Sequence, residues 1–528
     1  MSGQPSPGSR PLGRFLPHLY LLLLVLLAAA SSWRWLSGED DLWAHAAVGR
    51  WIVQHRQVPH QALFLWTYSG PWVAHSWLTQ LTLYGVLAAG GTPLVQAFTM
   101  VMAALPFVIL WGLWGRKARI TSLTAILFGL GIACGAPRFQ PRPELFTALF
   151  LSALLFFLVR WSDKLPTDLL RWWQCMPATL FLILLFIAWV NYHGMVLFGV
   201  VLLGLTAVVD FLQDRGSSRS YRLAVLTGLS GWVVLLNPYN IDYWKAFAPL
   251  GGATLTTIYE WKPVWAPPQA EVEILAAIGV LTLFALLAWA INPRRRWSHL
   301  GWLGMMGVCF LRARRFIWLL ALVDLAVLAA NARVLEPEAL WAELWRRHSP
   351  EAETRKEPPP IPPRWRTLFR IGVAVWLLGF LGLRVANMQP PPQGISLVPE
   401  GPARFIRDHR LPGNGFNDYE NSSYLDWYFG GQPPLFIDLL NAYPDQVLLD
   451  YHAIRMGTPQ SQELLKQYQI GYVVLTTFRN GAPLKPLADL LDRNSEEWVH
   501  VYAGREGHIW VRRTSEYEYL WGPLEHSS

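Results

Sequence analysis

WLTQLTLYGVLAAGG, Trp77 to Gly91, is the stretch whose reading decides the arrangement of the whole chain. It is apolar enough to enter a membrane but short for a ~30 Å core. Its Thr79, Gln80 and Thr82 suit a helix lying at the interface. Around it are eleven longer apolar runs, at 15–36, 93–114, 120–135, 144–159, 175–190, 194–212, 223–236, 272–291, 298–311, 315–332 and 367–387. If Trp77–Gly91 does not cross and the N-terminus is cytoplasmic, the inner connections collect 21 basic residues: Arg10 and Arg14, then the clusters at Arg116, Arg160, Arg215 and Arg294, and the stretch Arg333–Arg366. About nine are left for the outer ones, counted over the same connecting segments. A crossing there would carry the Arg116 cluster outside and spoil the alternation. The sequence therefore predicts a polytopic helical bundle of about eleven spans with an interfacial helix in its first outer loop.

Composition agrees. Hydrophobic residues make up 53% of the 528, and charged residues only 15%, against about 25% in a soluble domain. The 29 Trp suit two membrane interfaces. The formal charge of +8 is spread in short clusters between apolar runs, a positive-inside pattern that excludes a nucleic-acid stripe. Cys134, Cys175 and Cys309 have neither metal spacing nor a disulfide framework. The run after Arg10 and Arg14 lacks a clear cleavage site, so it reads as a retained first helix.

The predicted organisation is a transmembrane domain over residues 1–335, a cytoplasmic Pro-rich linker over 336–366, a last spanning helix at 367–388 and an extracytoplasmic α/β domain over 389–528. Strand candidates in that domain are LFID, YVVLTT, WVHVYA and HIWVRR, with helices at PDQVLLDYHAI and SQELLKQYQ.

Polar residues gather at the outer ends of the runs. GEDDLWAH brings Asp40, Asp41 and His45, and PWVAHSWL brings His75. APRFQPRPELF carries Arg138, Arg142 and Glu144; WVNYHG carries Asn191 and His193. LNPYN adds Asn237, IYEWKP adds Glu260, and FLRARRF adds Arg312, Arg314 and Arg315. Charged groups at membrane depth are costly and mark function or tight pairing. Guanidiniums fork onto phosphate, and a carboxylate can act as general base or metal ligand. Plainer roles stay open. Asp40 and Asp41 can cap the helix starting near Leu42, and His45, one turn on, can bond to Asp41. Arg138 and Arg142 can anchor at headgroups, as can the arginines of FLRARRF, which oppose the positive-inside rule. Asn191 and Asn237 can satisfy helix-end backbone.

GEDDLWAHAAVGRWIVQHRQVP…PWVAHSWL resembles the opening loop of bacterial multi-spanning proteins with a D-x-W-x-H-type motif, grouped with the GT-C glycosyltransferases. RPELF, NYHG, LNPY and GFNDYENSSYLDWYFGGQPPLFID resemble further stretches of that group, so the likeness covers nearly the whole chain. Asp40 and Ala44 stand where the motif has proline and a second Trp. The resemblance implies a GT-C-like bundle moving a sugar from a polyprenyl-phosphate or -diphosphate donor to a glycan, lipid or protein acceptor outside the cytoplasmic membrane. It makes Asp41 the base or acceptor-positioning acid, with Asp40, His45 and His75 assisting. Arg138, Arg142, Arg312, Arg314 and Arg315 would hold the donor phosphate, alongside Glu144, Asn191, His193, Asn237 and Glu260. No cofactor is specified; a divalent cation (Mg or Mn) on Asp41, Asp40, His45 and Glu144 stays open. The absence of a P-loop or GxGxxG argues against ATP. A transporter or flippase for lipid-linked glycans, which would need polar groups at mid-membrane, and a non-catalytic membrane scaffold are the alternatives.

Overall fold

The computed structural model describes residues 10–33, 40–114, 122–162, 176–214, 218–247, 259–266, 272–331, 363–388, 398–420, 422–476 and 485–525. The Pro-rich linker falls almost entirely outside them, as does the Asp40 side chain. The chain divides into two compact units: Met1–Trp33, Ala97–Asn237 and Ile258–Gln389 make the first, and Arg34–Gln96, Pro238–Thr257 and Pro390–Ser528 the second.

Each predicted apolar run is a helix. They are α1 (Arg10–Ser31), the second half of α3 (Trp77–Trp114), α4 (Ser122–Gly135), α5 (Glu144–Arg160), α6 (Met176–Tyr192), α7 (Val196–Gln213), α8 (Ser218–Val233), α9 (Val272–Ile291), α10 (Trp297–Arg312), α11 (Ile317–Asn331) and α12 (Pro363–Ala386). Among the described residues, four of these helices, α3, α7, α9 and α12, have both the length and the hydropathy to cross a membrane. α2 (Asp40–His55) precedes α3 in the first loop. Within α3 the backbone leaves the helix at Gly90 and Gly91, the latter at φ +64, a conformation that costs a residue with a Cβ. Pro93 then restarts the helix where its missing N–H is harmless. The polar segment Trp77–Ala89 and the apolar one after Pro93 are thus separate rods.

In the first unit α11 is the hub, packed against α4, α5, α9 and α10 and buried along nearly its whole length. Where lipid surrounds helices, close contact rather than water exclusion drives association, and small residues allow it. Gly199 on α7 meets Trp189 of α6, whose ring lies 2.5 Å from where a Cβ would stand. Gly131 on α4 sits likewise against Leu325 of α11, at 2.9 Å.

The second unit carries a four-stranded sheet in the order β1-β2-β4-β3. β1 (Asn414–Asn417) is parallel to β2 (Ile470–Thr476); β3 (Trp498–Gly504) and β4 (Gly507–Arg512) complete it antiparallel. Its helices are α13 (Glu400–His409), α14 (Ser422–Phe429), α15 (Asp445–Arg455), α16 (Pro459–Gln467), α17 (Lys485–Arg493) and α18 (Glu518–Glu525). LFID is not a strand of this sheet; NGFN takes the edge. The Asn417 amide explains this, because its Oδ1 accepts from Phe436 N at 2.9 Å and its Nδ2 donates to Ile437 O at 2.9 Å. The side chain saturates backbone that a ladder would need. Instead Leu435 bridges Leu65 in the first loop. Leu435 N donates to Phe64 O at 2.7 Å, and Trp66 N to Leu435 O at 3.0 Å. α2 packs on α14, with Trp43 edge-on to Tyr424 and Arg50 over the Trp427 ring at 4.2 Å. The core of this unit therefore combines the first loop with the C-terminal stretch.

Candidate functional site

In the first unit, three prolines shape the turn between α4 and α5. Pro137 lies in the short turn Ala136–Arg138, while Pro141 and Pro143 end it and start α5 at Glu144. The turn is pinned by Phe139, buried edge-on against Trp318 of α11. This aims Arg138 at two carboxylates. Its Nε donates to Glu144 Oε2 at 3.1 Å, a second nitrogen reaches the same oxygen, and a third donates to Glu260. Arg142 meets Glu260 at 3.4 Å, and Arg315 meets Glu260 at 3.3 Å and Glu144 at 3.7 Å.

Two further loops bring in those partners. Glu260 sits in the turn Tyr259–Trp261. The segment after it pairs with the α10–α11 connection, Val264 N to Leu311 O at 3.2 Å and Arg314 N to Lys262 O at 3.3 Å. Trp261 covers the Arg315 guanidinium at 4.2 Å. Three guanidiniums and two carboxylates thus share one largely buried cluster with a surplus positive charge. Burial pushes the Glu260 carboxyl up, but Arg138, Arg315 and Arg142 together hold it far below the usual carboxylate range. Arg315 Nε and Glu144 Oε1 are buried without a hydrogen-bond partner among the described residues, so the cluster retains a donor and an acceptor.

The other sequence candidates of this unit divide. His193 Nδ1 is 2.7 Å from Thr147 Oγ1, which also accepts from Trp189 Nε1 at 2.9 Å, locking α5 to α6. Asn191 donates to Ile187 O and Leu236 O at 2.8 and 3.0 Å, and Asn237 to Val234 O at 2.9 Å. These amides satisfy helix-end carbonyls. Arg314 is buried and donates to Ala266 O, whereas Arg312 is exposed and takes no part in the cluster among the described residues.

In the second unit, Asp41 and His45 lie in the first two turns of α2, both half-buried, and His75 lies just before α3. The loop before His75 is braced: Tyr239 Oη donates to Pro59 O at 2.7 Å and accepts from Ala74 N at 3.1 Å. α2 lies close on α3, since a Cβ on Gly49 would stand 2.2 Å from Gln80 O. Among the described residues, no group of three or more His, Cys, Asp or Glu gathers at metal-ligand spacing.

Two further features concern buried carboxylates outside the sequence candidates. Asp324 is fully buried on α11 and accepts from Thr282 Oγ1 at 2.8 Å, its other oxygen unpartnered. A lone Asp in a fifteen-residue apolar helix was the available signal. In the second unit Asp418, Asp426 and Asp438 are all buried. Burial pushes the Asp418 carboxyl up to about 6 and Asp438 up to about 7. It raises Asp426 well above the usual range, with the Asp438 charge adding to it. Both Asp426 oxygens lack a hydrogen-bond partner.

This architecture is similar to that of solved membrane-protein structures. It matches the crystal structure of the apo oligosaccharyltransferase of Archaeoglobus fulgidus with a TM-score of 0.61 at 10% identity, over 97% of this chain and 76% of that one. The same enzyme tethered to an acceptor peptide matches with a TM-score of 0.56 at 10% identity, over 96% and 74%. ArnT from Cupriavidus metallidurans, bound to undecaprenyl phosphate, matches at 0.51 and 14% identity, over 96% of this chain and 99% of that one. No protein-family model matches the sequence, and neither does any curated protein. At these identities the likeness establishes the fold.

Proposed function

We propose that this protein is a GT-C-type glycosyltransferase, moving a sugar from a polyprenyl-(di)phosphate-linked donor to an acceptor on the outer side of the cytoplasmic membrane. The observation that carries the reading is the match over nearly the whole chain to two such transferase structures, one of them holding a polyprenyl phosphate. The eleven-span count, the cytoplasmic N-terminus and the outward C-terminal domain belong to the same proposal. The Arg138, Arg142 and Arg315 guanidiniums supply donors for a phosphate whose charge grows as the glycosidic bond breaks. Glu144 and Glu260 hold those forks in place and temper their charge, so that the leaving phosphate can depart. Asp41 orients or deprotonates the acceptor hydroxyl, with His45 and His75 assisting.

The test separates the two roles. Undecaprenyl phosphate binding to R315Q should fall about tenfold, the loss of one charge-assisted contact; unchanged binding removes the arginine cluster from the donor site. D41N should keep that binding and lose transfer, and wild-type transfer by D41N removes Asp41 from the mechanism.

Asp324 favours a second reading, a transporter or flippase for lipid-linked glycans, since it sets a carboxyl in the packed middle of α11. Under it, D324N would stop lipid flipping in liposomes while no glycan product ever forms.

A further inference from the structure

α5 begins at the Glu144 cluster and, seventeen residues later, some 25 Å along its axis, reaches a second cationic cluster. There Arg219 Nη2 donates to Ser162 Oγ at 2.8 Å. Arg219 also pairs with Asp210, in the last turn of α7, and Arg296 meets the same carboxylate at 3.3 Å. One turn beyond Arg219, Arg222 lies on the same side of α8. It is only 7% exposed, and both its Nη1 and Nη2 lack a hydrogen-bond partner. Ser298 Oγ, in the first turn of α10, is buried and equally unpartnered.

A guanidinium cannot shed its proton, so burying one without an acceptor is severely unfavourable. Asp210 is the one carboxylate bonded within this group among the described residues, and Arg219 and Arg296 already occupy its Oδ2. Among the described residues the Arg222 fork thus has no acceptor of its own, and Asp210 Oδ1 is also buried without a hydrogen-bond partner. The first turns of α8 and α10 begin here as well, adding their positive dipole ends. With Arg296 28% exposed, the cluster is open on one side.

We infer that this end of the bundle is a second anion site, which binds a phosphate group through the Arg222 fork, with Arg296, Arg219 and Ser298 around it. Asp210 holds the two flanking arginines apart and keeps them aimed. The site lies at the opposite end of α5 from the Arg138 cluster and does not depend on the transferase reading. Its ligand is a phospholipid headgroup or free phosphate.

The full-length protein in phosphate-free detergent tests this. Thermal unfolding is compared in sodium phosphate and in sodium chloride of equal ionic strength, and native mass spectrometry counts retained phosphatidylglycerol. The wild type should be stabilised by one or both, and R222Q should need about tenfold more of the same ligand. Stabilisation by phosphate alone identifies the free ion, and retained phosphatidylglycerol without a phosphate response identifies the headgroup. A wild type that responds to neither overturns the site, as does an R222Q that responds like wild type. Should R222Q not fold, R222K keeps the charge without the fork and must bind more weakly than wild type; equal binding overturns the proposal.

Discussion

Glu260 accepts from three arginines, each drawn from a different stretch of chain: the turn after α4, the approach to α5 and the α10–α11 connection. Removing it leaves Arg138 and Arg315 to Glu144. We expect E260Q to lower stability by roughly 2–3 kcal/mol, below the cost of breaking a fully buried pair because Glu260 keeps some exposure; a melting temperature equal to wild type would refute this. Asp418, Asp426 and Asp438 act in the opposite sense. Their folded-state carboxyls titrate above the unfolded ones, so between about pH 4 and 7 the folded chain binds more protons. Stability gained at low pH is therefore lost as pH rises through that window. The second unit should melt at a higher temperature at pH 5 than at pH 8, and D426N should flatten the slope while raising the melting point at pH 8. Fluorescence melts across this range decide it, and a steeper slope in D426N would count against the account.

At the scale of elements, contact between helices rests on glycine. G199V would drive two methyl groups into the Trp189 ring, which Thr147 and its partner His193 hold in place. We expect overpacking of about 1–3 kcal/mol, read as a lower melting temperature, whereas G228V, which meets open space, should cost little. Helices of this kind were legible in the sequence because their apolar runs are long and their ends are marked by charge. The break at Gly90–Gly91 was legible too, since Thr79, Gln80 and Thr82 set the stretch ending at Gly91 apart from the apolar run that follows. LFID was not: it reads as a strand by composition, and the distant Asn417 amide and the first loop, which take its backbone groups, make it irregular. The site was partly legible. Arg138, Glu144, Glu260 and Arg315 stood out as charges beside apolar runs and form one cluster. Asn191 and Asn237 stood out equally and serve helix ends, a distinction that depends on where nearby carbonyls fall. Arg222 was counted in the sequence only as one more basic residue, since burial cannot be read from charge.

At the scale of the molecule, the second unit is assembled from both ends of the chain. Thr67 Oγ1 donates to Phe436 O at 2.6 Å, and Trp66 Nε1 to Gly415 O at 3.1 Å. A chain lacking residues 398–525 should therefore lose order in the first loop, with new protease cleavage between residues 56 and 76 while α4 to α11 stay protected. Unchanged resistance there would show that the loop folds alone. Leu65 and Leu435, which bridge each other, are about 370 residues apart. A ribosome adding about 5–20 residues per second makes the first of them roughly 20–70 s before the second. Throughout that interval Leu65, Trp66 and the side of α2 that packs on α14 lack their C-terminal partners, so the nascent protein carries an uncovered hydrophobic surface until synthesis is nearly complete.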